Sequence, residues 1–266
     1  GGGGGLLSVC LSYCELTNRE YEVVTITSDT TESDLKQRRE IRNSNVEWFD
    51  QAPVRAALQG KVLILDGIEK AERNVMPTLN NLLENREMGL PDARFLIAPE
   101  RYDSLAINKR TSLERVSEDF TVIALGLPVP LFPGFPLDPP LRSRFSGRTI
   151  QALASAQQIE HLVMEARGRV LQSDITALVG FTETTRILMS GFDAPLAGSR
   201  SLDIPLDFTE QAITFKIMFP DTSLSTLISR GYPYKHFMLE PAQRKVLDKV
   251  INRFTNGDAS NNTTTN

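Results

Sequence analysis

Four consecutive apolar residues, Val62 to Leu65, run straight into a carboxylate, Asp66, within the decapeptide KVLILDGIEK (Lys61 to Lys70). An unbroken apolar run this short predicts a strand buried on both faces, as the inner strands of parallel sheets are; periodicity alone leaves a buried helical segment open. A carboxylate at the C-terminal end of such a strand stands where open α/β sheets bind ligands. Taken by itself, the decapeptide also fits an ordinary strand capped by a solvated turn.

The flanking sequence fits a sheet around that run. Gly1 to Gly5 followed by Leu6 to Leu16 reads as a glycine loop opening into a helix, and YEVVTIT (Tyr21 to Thr27) has the β-branched content of a strand. Five glycines alone say nothing specific about phosphate and equally fit a low-complexity linker. Ser28 to Arg42 is polar and charged, with Ser33 or Asp34 placed to cap a short helix, and Trp48 and Phe49 open a more apolar passage. PVRAAL (Pro53 to Leu58) predicts a helix stopped near Gly60. After the central run, Asn74 is the expected N-cap of a helix with Pro77 in its first turn and Val75, Leu79, Leu82 and Leu83 at helical spacing. A hairpin turning at Pro91 and Asp92 leads to Arg94–Ile97. FTVIAL (Phe120 to Leu125) is a second buried strand, ending at Gly126.

A proline-dense loop, Leu127 to Pro140, is expected at the surface, and LRSRF (Leu141 to Phe145) follows it. The sheet-forming part, residues 1–150, gives way to helical patterns at Ile159–Leu171, Ile175–Leu188, Phe208–Phe219 and Pro241–Phe254, so that 151–255 reads as a helical domain. A turn-rich bridge, Gly191 to Pro205, interrupts it, and the polar tail 256–266 is expected to be disordered.

Composition narrows the function. With 266 residues, 41% hydrophobic and 23% charged, the chain is ordinary globular material, and a net charge of −4 provides no basic footprint for nucleic acid. Cys10 and Cys14 lie four apart on a predicted helix and could aim two thiolates at one metal. With two histidines in the chain, both distant, they read as small buried hydrophobes in a reducing compartment. No run approaches a transmembrane length, and the leading glycines are unlike a signal sequence.

Longer motifs carry a resemblance. TTESDLKQRREI (Thr30 to Ile41), EKAERNV with LNNLLENREM (Glu69 to Met88), RVSEDF (Arg115 to Phe120), IALGLPVP (Ile123 to Pro130) and PLDPPLRSRF (Pro136 to Phe145) resemble an AAA+ module of the dynein-related, MoxR- and midasin-like ATPases. The resemblance is dense from Tyr13 to Ile150 and thinner through Asp203 to Phe254, where IPLDF and GYPY are still recognisable. It implies a P-loop NTPase of the AAA+ class: an α/β, three-layer αβα core on a parallel sheet, then a helical lid, with ATP bound between modules of a ring. In that topology a central strand precedes the glycine loop. Without it the sheet is expected to have a gap with unpaired backbone groups on both neighbours, and the chain alone to be poorly stable.

The resemblance also assigns roles. YCELT (Tyr13 to Thr17) sets a register in which the glycines of the phosphate loop fall at Gly3 and Gly5, with Gly4 between them, and the loop's lysine position is Leu6. Backbone N–H groups of Gly3 to Leu7 are then the expected phosphate cradle. Asp66 takes the Walker B position that holds magnesium. The glutamate usually next to it is replaced by Gly67, leaving Glu69 as a substitute to polarise water or as a solvated acid at a helix start. Gly126 occupies a polar sensor position. Arg144 resembles an arginine finger aimed at the adjacent module's ATP and Arg142 a second phosphate sensor, the alternative for both being a surface ion pair. Two functions follow: an ATP- and Mg2+-binding module of a hydrolysing ring machine acting on a protein client, or a hydrolysis-deficient structural module that supplies Arg144 to intact neighbours. Leu6 and Gly67 favour the second for this module, while the family resemblance favours the first for the longer protein it implies. Mitochondrial placement follows from the resemblance alone.

Overall fold

The computed structural model describes residues 4–130, 132, 134–151, 153–190, 204–236 and 239–255, and divides into two compact units, Gly1–Arg148 and Thr149–Asn266. The first contains, in chain order, α1 (Gly4–Leu16), β1 (Tyr21–Thr25), α2 (Glu32–Leu35), β2 (Gln37–Arg42), β3 (Asn45–Asp50), α3 (Ala52–Gln59), β4 (Val62–Asp66), α4 (Met76–Asn85), β5 (Met88–Gly89), β6 (Phe95–Ile97), α5 (Pro99–Ser104), β7 (Leu113–Arg115), β8 (Thr121–Leu125) and α6 (Pro139–Arg144).

The apolar run is β4, and Val62 to Leu65 have no exposed surface. It lies between β1 and β8, parallel to both, with Ile64 opposite Val23 on one side and Ile123 on the other. Side chains alternate across a strand, so the run divides between two faces. Val62 and Ile64 pack with Val23, Ile123 and Leu125 against Cys10 and Cys14 of α1. Leu63 and Leu65 join Val24, Val122 and Ala124 on the other face, against Val54, Ala56 and Ala57 of α3 and Leu79 and Leu82 of α4. The result is a three-layer αβα arrangement. Burial pushes both cysteine thiols up from their ordinary values, in keeping with their place in the core.

The sheet is continuous where a gap is expected from the sequence. β8 bonds β4 along one edge, and among the described residues no strand pairs with its other edge. β1 likewise pairs with β4 alone, so among the described residues the open backbone groups lie on the two outer edges of a three-stranded sheet rather than on the two neighbours of an internal gap. Beyond β1, Ile26 N–H still donates to the Asp66 carbonyl at 2.8 Å, so the strand pairing persists one residue further than the regular ladder.

Other differences are local. α1 starts at Gly4, taking in the last two residues of the expected glycine loop. The charged stretch contains α2, capped at Thr31 rather than Ser33 or Asp34, with the Asp34 carboxylate accepting from the Thr31 N–H at 2.9 Å. It then forms an antiparallel hairpin, β2 with β3, where a polar run and an apolar passage were expected. Its base is tied down by Arg94, whose guanidinium meets Asp50 at 2.6 Å, Asp92 at 2.7 Å and Glu114 at 3.4 Å. α4 is capped by Val75, one residue after Asn74. The expected β-hairpin is β5 with β6.

The regular elements described in the second unit are helices: α7 (Ser155–Ala166), α8 (Gln172–Ser190), α9 (Phe208–Met218), α10 (Leu224–Gly231) and α11 (Pro241–Thr255). α7 stops five residues before Leu171 because Arg167 and Gly168 take left-handed conformations, and α10 falls where no helix is expected. Phe181 sits at its centre, with ring centroids of Phe208, Tyr232 and Phe254 at 5.8, 6.3 and 6.4 Å. Of the bridge Gly191–Pro205 only Ile204 and Pro205 are described, and the tail 256–266 lies outside the described residues. Among the described residues no helix is long and apolar enough to cross a membrane.

Two contacts make the sheet's supports testable. Gly60 closes α3 at φ +70, and a Cβ there would stand 2.5 Å from Ser117 Oγ. Gly60→Ala therefore lowers the unfolding free energy by about 1–3 kcal/mol, read as a lower urea midpoint. Arg55 of α3 donates to both oxygens of Glu22 on β1, at 3.0 and 2.9 Å. That hydrogen bond is the main reason the Glu22 carboxyl lies below its ordinary 4.5. A depressed carboxylate stabilises the fold above its unfolded pKa and loses that contribution as pH falls through the folded value. Glu22→Gln accordingly costs about 1 kcal/mol at neutral pH. It also flattens the acid limb of stability against pH below 4.5, the ordinary value of this group.

Candidate functional site

Asp66 ends β4 in register with Thr25 and Leu125. It shares strand parity with Val62 and Ile64, so its carboxylate belongs to the face that α1 covers. Its charge is felt there: burial is the first reason the Cys10 thiol is pushed up, and the neighbouring Cys14 and Asp66 add to it. Asp66 is half-buried, and its side chain makes no hydrogen bond or ion pair among the described residues. Both oxygens are available to a ligand.

Gly4 to Leu7 form the first turn of α1, where backbone N–H groups lack partners within the helix and the dipole favours an anion. A Cβ on Gly5 would meet nothing within 4 Å, so the backbone there is open to approach. Gly3 lies outside the described residues. Leu6, which the resemblance sets at the phosphate-loop lysine, packs with Leu7 against the cluster of Cys10, Cys14, Val62, Ile64 and Leu125, adding to the core on the α1 face. Magnesium takes oxygen ligands and keeps several waters, so one free carboxylate at a phosphate site suits it. Among the described residues there is no cluster of three His, Cys, Asp or Glu that could hold a metal ion unaided. An ion here would have to share its coordination between Asp66 and phosphate oxygens.

Beyond Asp66 the chain turns sharply. Gly67 adopts φ +87 and its N–H donates to the Leu125 carbonyl at 2.9 Å. Glu69 follows in a 3-10 turn, Ile68–Lys70, and is only 4% exposed, so it is not a solvated acid. Its Oε2 accepts from the Leu127 N–H at 3.2 Å and its carbonyl accepts from the Phe135 N–H at 2.6 Å. Two glycines make room for it. A Cβ on Gly126 would lie 3.3 Å from Glu69 Oε2 and 2.8 Å from Ile68 Cγ2, and one on Gly134 would lie 2.9 Å from Glu69 Cγ. The acid thus fills the space in which a side chain at the sensor position would begin, and it anchors the proline-dense loop. Lys70, the last residue of the turn, folds back over Gly67: a Cβ there would stand 3.6 Å from Lys70 Cδ and 3.8 Å from Nζ.

Arg144 ends α6, whose Leu141 is buried in the core while Arg144 remains exposed. Its guanidinium is hydrogen-bonded to Glu84 of α4. Arg142 is exposed and makes no ion pair among the described residues. The sequence gives no hint of Glu84 as a partner, which lies 60 residues away in the chain. The position of Lys70 has a local signal: residues three apart on a tight turn share a face, and the residue it covers has no side chain.

The packing around Gly126 carries a prediction. Gly126→Asn, which would supply a polar sensor, displaces Glu69 and Ile68 and lowers the unfolding free energy by about 1–3 kcal/mol. An unchanged denaturant midpoint would mean that the space is free.

Comparison with known proteins agrees with this architecture. Residues 3–145, more than half the chain, match the model of the AAA domain, dynein-related subfamily. A mouse relative, von Willebrand factor A domain-containing protein 8, is 45% identical over 254 residues, which is 93% of this chain and 13% of that protein. The chain thus spans a small part of that relative's length. Solved structures are fainter matches: a Cytophaga hutchinsonii protein at 11% identity and TM-score 0.39, covering 88% of this chain and 76% of that one, and NtrX from Brucella abortus at 14% and 0.42, covering 94% and 62%. The assignment rests instead on the family match and on a parallel sheet whose middle strand ends in a free carboxylate beside α1, and by these the chain belongs to the dynein-related subfamily of AAA domains.

Proposed function

We propose that this chain is a nucleotide-holding AAA module that hydrolyses ATP poorly by itself and supplies Arg144 to the ATP of a neighbouring module. The observation that carries this reading is the end of β4. Asp66 presents a free carboxylate, the next residue has no side chain, and the nearest following acid, Glu69, is buried and engaged with Leu127. A group that is to take a proton from water must reach that water with an unengaged oxygen. Binding needs less: backbone donors at the start of α1 can cradle phosphate, and Asp66 can hold magnesium, which when bound neutralises phosphate charge.

On the neighbour-facing side, Arg144 has the planar, always-charged fork suited to phosphate oxygens, and it is both exposed and held by Glu84. Arg142 is the candidate second phosphate sensor. ATP, magnesium and further AAA modules in a ring are the partners this reading requires.

Titration of the intact chain with a fluorescent ATP analogue tests it, with and without magnesium and alongside phosphate-release measurements. The native chain is expected to bind, magnesium to tighten binding, and Asp66→Asn to abolish that tightening while phosphate release stays at background. Leu6→Lys is expected to strengthen binding about tenfold, the effect of one charge-assisted contact. Steady phosphate release that Asp66→Asn abolishes would sink the hydrolysis-poor assignment. A folded chain that binds no nucleotide would sink the whole reading.

A further inference from the structure

We propose that Lys70 is the cation of the phosphate site, acting from the end of β4 in place of the lysine that Leu6 replaces. The inference rests on the nucleotide-holding reading above and adds to it the residue that meets the phosphate charge.

Lys70 is half-buried, and its ammonium makes no ion pair or hydrogen bond among the described residues. Its charge is therefore uncommitted among the described residues and open to an anion. Other partly buried cations of this unit are engaged, Arg86 by the Phe120 carbonyl at 2.9 Å and three others by carboxylates. Lys61 lies near Glu20 and Glu22, Arg94 among three carboxylates, and Arg55 on Glu22.

The position of the ammonium is set by backbone geometry. Gly67, at φ +87, turns the chain immediately after Asp66, and the Lys70 N–H donates to the Gly67 carbonyl at 2.9 Å, closing the tight turn. The Lys70 side chain then runs back over Gly67, with Nζ 3.8 Å from the point a Cβ would occupy. A side chain at 67 would compete for this space, and a glutamate there would be drawn to the ammonium. The loss of the acid and the return of the lysine are therefore one arrangement. It brings a positive charge over Gly67, the residue that follows the carboxylate assigned to magnesium, at the ligand-binding end of the sheet. Glu69, next to Lys70, does not cancel that charge: its carboxylate accepts from the Leu127 N–H and, among the described residues, makes no ion pair with Lys70. The chemistry recognised is a polyphosphate, not the adenine or ribose of the nucleotide.

The test is equilibrium binding of N-methylanthraniloyl-labelled ATP and of identically labelled adenosine to the intact chain, Lys70→Ala, Lys70→Gln and Lys70→Arg. Binding is repeated over a range of salt concentrations, with urea midpoints measured for each protein. Lys70→Ala and Lys70→Gln are expected to weaken the ATP analogue about tenfold or more and to flatten its salt dependence, while adenosine binding is unchanged. Lys70→Arg is expected to keep most of the affinity. Native-like ATP binding by Lys70→Ala overturns the assignment and leaves the nucleotide reading standing. Equal weakening of ATP and adenosine in both neutral variants also overturns it, since that marks a structural role. A native chain that binds neither probe removes the nucleotide reading itself and this inference with it.

Discussion

The whole first unit depends on burying β4 on both faces. Each of its four apolar residues has no exposed surface, and full burial of an aliphatic side chain is favourable by about 1.5–3 kcal/mol. A strand with this property must sit inside a sheet that is itself inside two layers of helix, so the run dictates α1 on one side and α3 with α4 on the other. It also dictates where chemistry can occur. A charge within the run would be desolvated without compensation, and the first position at which a carboxylate is tolerated is the one where the strand leaves the core. Asp66 occupies it, half-buried and on the face that α1 covers.

The departures from an intact AAA site that the resemblance implies are coupled to one another by packing. Leu6 carries no charge, and its side chain is used to close the α1 face against Ile64 and Leu125. Gly67 permits the left-handed turn that lets Lys70 return over it, and Gly126 and Gly134 leave the room into which Glu69 fits. Each position that lacks a polar side chain is thereby filled or covered by a neighbour. Reintroducing one group of an intact site meets a structure already packed around its absence, because interiors this dense respond to a single added carbon.

Much of the sheet could be read from the sequence because its signals are local. The apolar runs of β4 and β8, the β-branched β1 and the left-handed stop at Gly60 each announce themselves within a few residues. The β2–β3 hairpin does not: QRREIR alternates little and exposes most of its length, and its anchor is Gln37, only 1% exposed, bonded to Asp50 and to Asp92, which lies 55 residues away. The same distinction holds at the site. Asp66 is legible as the end of an apolar run. The burial of Glu69 is set by a hydrogen bond to a residue 58 positions on, and the course of Lys70 by a backbone dihedral at Gly67. A reading by type and spacing treats Glu69 as the free acid of the turn and passes over Lys70; the structure buries the first and brings the second back over Gly67, the residue after Asp66.

The contact between Arg144 and Glu84 bears on how a module of this kind would act on a neighbour. Both side chains are partly exposed, 40% and 35%, and ion pairs of that exposure contribute about 0–1 kcal/mol. A guanidinium meeting phosphate with two parallel charge-assisted hydrogen bonds gains more, about 1.5–3 kcal/mol for each such bond. On the proposed reading, transfer of Arg144 from Glu84 to the phosphate of an adjoining module would then be favourable once the modules are juxtaposed. In their absence Glu84 keeps the arginine on α4, where its long side chain has already lost part of its rotamer freedom. On the proposed reading, Glu84 is a positioning residue: it lowers the entropic cost of presenting Arg144 while binding it too weakly to retain it.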